Sequence, residues 1–156
     1  MRRLALLLVA VLALAACGSS SKKAPLETTS KQVQAFERAQ ITQTWESFFS
    51  SKTPVSKKPA LLQNGSQFKS VIEAFASNPL AKNVSAKVSK VTLEAPADSS
   101  TRAKVAYTIY LGSTPALSNQ TGVAVRENPS ASWKVGDASL CKLIALEGST
   151  PPACKS

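Results

Sequence analysis

Two kinds of hydrophobic spacing divide the chain, and an uninterrupted apolar run precedes both. Val33, Phe36, Ile41, Trp45, Phe48 and Phe49 recur every three or four positions, the period of a helix with one apolar face. Thr29-Ser30-Lys31-Gln32 has the form of a capping box, so the helix is predicted from Thr29 to about Ser50. Trp45 and Phe49 stand four apart and are expected to stack along that face. Lys52-Thr53-Pro54-Val55 interrupts the pattern. A short helix is predicted over Ser56 to Gln63, stopped by Asn64-Gly65. Ser66 would then cap a third, Gln67 to about Ala76, with Phe68, Val71, Ile72 and Phe75 on one side, and Asn78-Pro79 ends it.

Beyond Pro79 the period falls to two. Val84, Ala86 and Val88 alternate with polar residues, and Val91 and Leu93 continue one step out of phase, so a bulge is predicted near Ser89-Lys90. After a turn at Pro96–Ser100, Ala103, Val105, Tyr107, Ile109 and Leu111 make the cleanest strand. Gly112-Ser113-Thr114-Pro115 turns again, a third strand is expected from about Gln120 to Glu127, and a fourth around Ser132-Trp133-Lys134-Val135. Strands joined by short turns form an antiparallel meander, and helices followed by strands give the α+β class. The expected architecture is N-terminal helices packed on one face of a curved four-stranded antiparallel sheet.

The run Leu4–Ala16, after the basic Arg2-Arg3, has the layout of a secretory signal peptide. As a helix it would reach roughly 20 Å, short of a hydrocarbon core about 30 Å thick. It ends in Leu14-Ala15-Ala16-Cys17, followed by Gly18-Ser19-Ser20, which resembles the lipobox of bacterial lipoproteins. That resemblance implies a diacylglyceryl group on Cys17 Sγ and removal of residues 1–16. Two acyl chains give stable anchoring where one does not. Residues 17–28 then read as a lipidated tether and 29–156 as one domain. The expected location is the extracytoplasmic face of the cell membrane.

An apolar content of 44% with 18% charged residues suits a folded domain. With Cys17 taken by lipid, Cys141 and Cys154 are the remaining cysteines, and an oxidising compartment makes a bridge between them the expected state. A metal pair or a reactive thiol are the alternatives; no histidine is present to complete a zinc site. The net charge is +10, falling to +8 without Arg2 and Arg3. In an exported domain this points to anionic lipid headgroups or acidic envelope polymers as partners, and away from nucleic acid. A merely soluble, mutually repelling surface explains the charge equally well.

Several motifs together are similar to a known family: Trp45-x-x-Phe48-Phe49, Leu61-Leu62-Gln63-Asn64-Gly65 with Phe68, the strand through Tyr107, and Ser132-Trp133-Lys134-Val135 followed by Cys141 and Cys154. They resemble the C-terminal domain of the mycobacterial low-molecular-weight secreted antigen family, over roughly Gln40 to Cys154. The resemblance implies a cone similar to nuclear-transport-factor and cystatin-like domains. It implies no activity.

Without histidine, Ser/His and Cys/His nucleophile systems are excluded, and the usual general base near neutral pH is missing. No phosphate loop or calcium loop occurs, and no cofactor is expected. Enzymes on cone-shaped folds use a buried carboxylate and a tyrosine, parts that Asp137 with Tyr107 or Tyr110 would fill; this is analogy at the level of fold. The leading expectation is an interaction or scaffold domain without catalysis. The alternative is a carrier of a small apolar or lipid ligand, with Trp45, Phe49, Phe75, Tyr107 and Trp133 as the candidate pocket.

Overall fold

A computed structural model of the chain describes residues 24–146, 148 and 150–155. The expected signal peptide, Cys17 and the start of the expected tether lie outside the described residues. Helix α1 (Ala24–Phe49) is followed by a 3₁₀ segment (Val55–Leu61), α2 (Lys69–Ser77), a second 3₁₀ segment (Pro79–Asn83), strands β1 (Val84–Leu93), β2 (Arg102–Leu111), β3 (Thr114–Val125) and β4 (Lys134–Val135), then α3 (Asp137–Ala145) and a 3₁₀ turn (Pro152–Cys154). The strands form one antiparallel meander in the order β1-β2-β3-β4, curled into a half-barrel, which is the expected α+β arrangement. The curl is consistent with a cone of the nuclear-transport-factor type.

The bulge falls where the phase slip places it, between Val88 and Lys90. It returns Val91 and Leu93 to the same face as Ala86 and Val88, so one face of β1 stays apolar along its whole length. On that face Ala86, Ala103, Val105, Tyr107, Ile109, Ala124 and Val135 are buried against Ile41, Trp45 and Phe48 of α1. The small residues make room for the large ones. A Cβ on Gly122 of β3 would stand 2.6 Å from the Trp45 ring and 2.9 Å from Ser139 Oγ.

Several boundaries differ from the sequence pattern. Helix α1 begins at Ala24, with Pro25 in its first turn where proline is tolerated, so Thr29 sits inside the helix instead of capping it. Its buried stripe is Glu37, Ile41, Trp45 and Phe48, whereas Phe36 is exposed. The 3₁₀ segment stops at Leu61 because Leu62 is extended and bridges Val135 in parallel, with Gln63 N–H donating to Val135 O at 2.8 Å. Asn64, at φ +52°, and Gly65 then lead through tight turns into α2, which starts at Lys69 without a Ser66 cap. Strand β3 begins at Thr114, beyond the core, where burial no longer imposes alternation. Strand β4 is only two residues long, and α3, built on Leu140 and Ile144, was not foreseen.

Two devices close the ends of the fold. Lys58 Nζ donates to the carbonyl oxygens of Phe48 and, at 2.9 Å, Ser50, satisfying the C-terminus of α1. Burial lowers the Lys58 pKa from its ordinary value. Cys141 of α3 and Cys154 form a disulfide with Cα atoms 5.6 Å apart, closing the C-terminal segment onto the domain.

The contact under Gly122 gives a direct check. Gly122→Ala is expected to destabilise the fold by about 1–3 kcal/mol, the usual range for overpacking a filled core. The measurement is the urea midpoint of the purified domain, and an unchanged midpoint would mean that Trp45 has room to move.

Candidate functional site

Three places concentrate side-chain chemistry. The first is the aromatic cluster inside the half-barrel. Trp45 and Tyr107 have ring centroids 5.1 Å apart, Phe49 and Tyr107 stack at 5.8 Å, and Trp45 and Phe49 lie 6.0 Å apart. Trp45 and Tyr107 are essentially inaccessible, packed against one another inside the half-barrel. Trp45 Nε1 is buried without a hydrogen-bond partner. Burial pushes the Tyr107 phenol up to about 12. The other two candidate pocket residues are elsewhere: Phe75 is 41% exposed on α2, and Trp133 belongs to a separate polar cluster.

That polar cluster is the second place. Arg126, at the end of β3, donates from Nη1 to both oxygens of Glu37 at 3.1 Å, from Nε to Ser100 O at 2.7 Å and from Nη2 to Ala97 O at 3.1 Å. Trp133 Nε1 donates to Glu37 Oε2, and the guanidinium carbon lies 4.4 Å from the Trp133 ring centroid. The Arg126 and Glu37 side chains are 3% and 11% exposed, so this is a buried ion pair. Both carboxylate oxygens are engaged by donors, an arrangement that suits a structural anchor. Sequence patterning missed this pair, although the signal exists. Glu37 lies on the α1 stripe with Ile41 and Trp45, and Arg126 continues the inward parity of Gly122 and Ala124.

The third place is where two motifs meet. Leu62 lies beside Val135, and Asn64 Nδ2 donates to Asp137 Oδ2 at 2.7 Å. Asp137 Oδ1 accepts from Ala138 N–H in the first turn of α3. The three residues of the catalytic analogy thus have three different surroundings. Tyr107 is inside the aromatic cluster, Asp137 is bonded to Asn64, and Tyr110 lines an open depression. The depression, about 450 Å³, lies along the β1 edge between Glu46, Ser85, Ala86, Lys87, Tyr110, Gly112 and Ser113. Glu46 Oε1 accepts from Val88 N–H at 3.0 Å there, and Ser51 N–H donates to Val84 O, so α1 and the turn after it cover part of that edge. Among the described residues no three His, Cys, Asp or Glu side chains are grouped to hold a metal, and no helix is long and apolar enough to cross a membrane.

The buried groups generate two expectations. Arg126→Met leaves the Glu37 carboxylate buried without its cation and should cost about 3–5 kcal/mol in urea unfolding; adding Glu37→Leu should recover part of the loss. A double variant no more stable than Arg126→Met would show that the cluster's worth lies outside the charge pair. Tyr107, raised from 10.0 to about 12, contributes stability that is full below pH 10 and lost as pH rises toward 12. Tyr107→Phe should remove that component from a stability-versus-pH series, and an unaltered slope would contradict the assignment.

Residues 34–151 match the family model of the low molecular weight antigen MTB12, C-terminal domain. No curated protein and no solved structure matches the chain. Members of this antigen family are generally extracellular or associated with the envelope. The match covers both zipped motifs, the aromatic cluster and the buried ion pair, and the chain belongs to the family of the MTB12 C-terminal domain.

Proposed function

We propose that this chain is a lipid-anchored envelope protein, held at the extracytoplasmic membrane face through Cys17, whose folded domain is an interaction module and not a catalyst. The observation that carries the reading is how the interior is used. Trp45, Phe49 and Tyr107 occupy the half-barrel, and the buried carboxylate Glu37 is committed to Arg126 and Trp133. A catalytic cone needs an accessible interior and an acid or base free to exchange a proton, and these groups serve packing instead. What remains for function is the outer surface. The family's extracellular or envelope association and the Leu14-Ala15-Ala16-Cys17 sequence support the location.

One observation favours the carrier reading as a second choice. Trp45 Nε1 is a buried donor without an acceptor, which a ligand oxygen entering the cluster would satisfy. Native mass spectrometry separates the two: lipid held non-covalently supports a carrier, and a mass without any non-covalent adduct supports the interaction module.

The anchor has its own test. Cys17→Ala should abolish the glyceride mass and leave a chain that either keeps its leader or moves from the detergent phase to the aqueous phase on phase separation. A variant that loses its leader and still partitions as the parent does rules the anchor out. Crosslinking in intact cells, followed by identification of what is attached, then reports the partner.

A further inference from the structure

The outer face of the sheet carries charge that the fold does not use. In β2 the odd residues from Ala103 to Ile109 are buried, so Arg102, Lys104, Ala106, Thr108 and Tyr110 point outward. Pairing fixes which neighbours share that side. Lys104 is opposite Thr92, Ala106 opposite Lys90 and Thr108 opposite Lys87 in β1, while Arg102 is opposite Val125, itself opposite Lys134 of β4. Lys87 and Lys90 are three apart and in a regular strand would fall on opposite faces. The bulge between Val88 and Lys90 turns both outward.

The result is a face with Lys87, Lys90, Lys104, Arg102 and the half-buried Lys134; Glu94, the residue after β1, is ion-paired with Arg102 at 3.4 Å, and Glu46 of α1 lines the depression beside Lys87. Lys87, Lys90 and Lys104 are exposed, and none is in an ion pair among the described residues. Diagonal neighbours such as Lys90 and Lys104 stand roughly 7–8 Å apart at the backbone, close enough to repel one another. Thr92 and Thr121, both exposed, lie between the lysines, the half-buried Val123 and Val125 stand opposite Lys104 and Arg102, and the depression beside Lys87 and Tyr110 is confined to the β1 edge at one end of the face.

We propose that this face binds an anionic lipid bilayer surface. The cations are spread in two dimensions over neighbouring strands, a layout that matches a plane of headgroups better than a linear polymer, which a single row or groove would hold. The proposal deepens the envelope reading and rests on it for proximity. From Cys17 to the first helical residue, Ala24, the chain spans at most roughly 25 Å, so an anchored domain stays beside the leaflet. There each lysine adds attraction that salt weakens.

Vesicle co-sedimentation tests it with the non-acylated chain from Gly18 onward, which contains every contact described above. Phosphatidylglycerol-containing vesicles should bind the chain and pure phosphatidylcholine vesicles should not. Replacing Lys87, Lys90 and Lys104 together by Gln should weaken binding roughly 100-fold, at about fivefold per lysine. A matched variant, Lys57→Gln with Lys69→Gln and Lys142→Gln, lowers net charge equally from other surfaces and should lose far less. Thermal unfolding confirms that each variant is folded, and the single reversal Lys104→Glu serves if the triple variant is not. The proposal falls if the face variant binds as tightly as the parent, or if the matched variant loses as much. It also falls if the chain binds a soluble acidic polysaccharide but not anionic vesicles. Native protein without glyceride mass, together with face-dependent vesicle binding, would remove the anchor and leave this proposal standing.

Discussion

A single carboxylate, Glu37, ties together parts of the chain that have no local reason to meet. Its partner Arg126 is 89 residues away and Trp133 is 96 away. Through Arg126 it also fixes the carbonyls of Ala97 and Ser100 in the β1–β2 turn. Helix α1, that turn, the end of β3 and the approach to β4 are therefore set by one charge cluster. Burying charge costs several kcal/mol per ion, and the attraction offsets it only when hydrogen bonding is close to complete. The geometry meets that condition: the guanidinium uses three nitrogens and stacks on an indole, and both carboxylate oxygens are occupied. Such a cluster tolerates few alternative packings, because sliding α1 by one turn would strand both charges.

The same constraint explains what was legible in the sequence. Periodicity reports faces, so it located α1, the bulged β1, the alternating β2 and the α+β order. It could not report partners. Phe36 reads as a core residue and is exposed because the inward position beside it is taken by Glu37. Boundaries failed where tertiary pairing overrode local signals: Leu62 leaves its 3₁₀ segment to pair with Val135, and Thr29 is bypassed by a helix that has already begun. Helix α3 has Leu140, Leu143 and Ile144 at helical spacing, but over a stretch too short to stand out around Cys141. Of the candidate pocket residues, Trp45, Phe49 and Tyr107 were legible as a cluster because the first two share a helix face and the third lies on the inward parity of β2. Nothing local could have separated Phe75 and Trp133 from them.

The two motifs that carry the family resemblance gain a physical account from this. Leu-Leu-Gln-Asn-Gly and Trp-Lys-Val are side by side, with Leu62 against Val135, Gln63 bonded to its carbonyl, and Asn64 holding Asp137 at the start of α3. Gly65 is required there because a Cβ would fall 1.9 Å from Pro59 O. These residues secure the free side of β4, which two residues alone could not stabilise. Their identities follow from assembly of the fold, so they say little about a ligand.

The two faces of the sheet divide the labour of the fold between them. Small inward residues, Ala86, Ala103, Gly122 and Ala124, leave space that Trp45 and Tyr107 occupy. The outward Lys87, Lys90 and Lys104 take no part in the hydrophobic core. Yet the bulge that keeps β1 apolar inside also gathers Lys87 and Lys90 outside. One backbone irregularity thus serves packing on one side and charge density on the other. Like charges this close cost stability unless something offsets the repulsion. An anionic surface is the simplest thing that does.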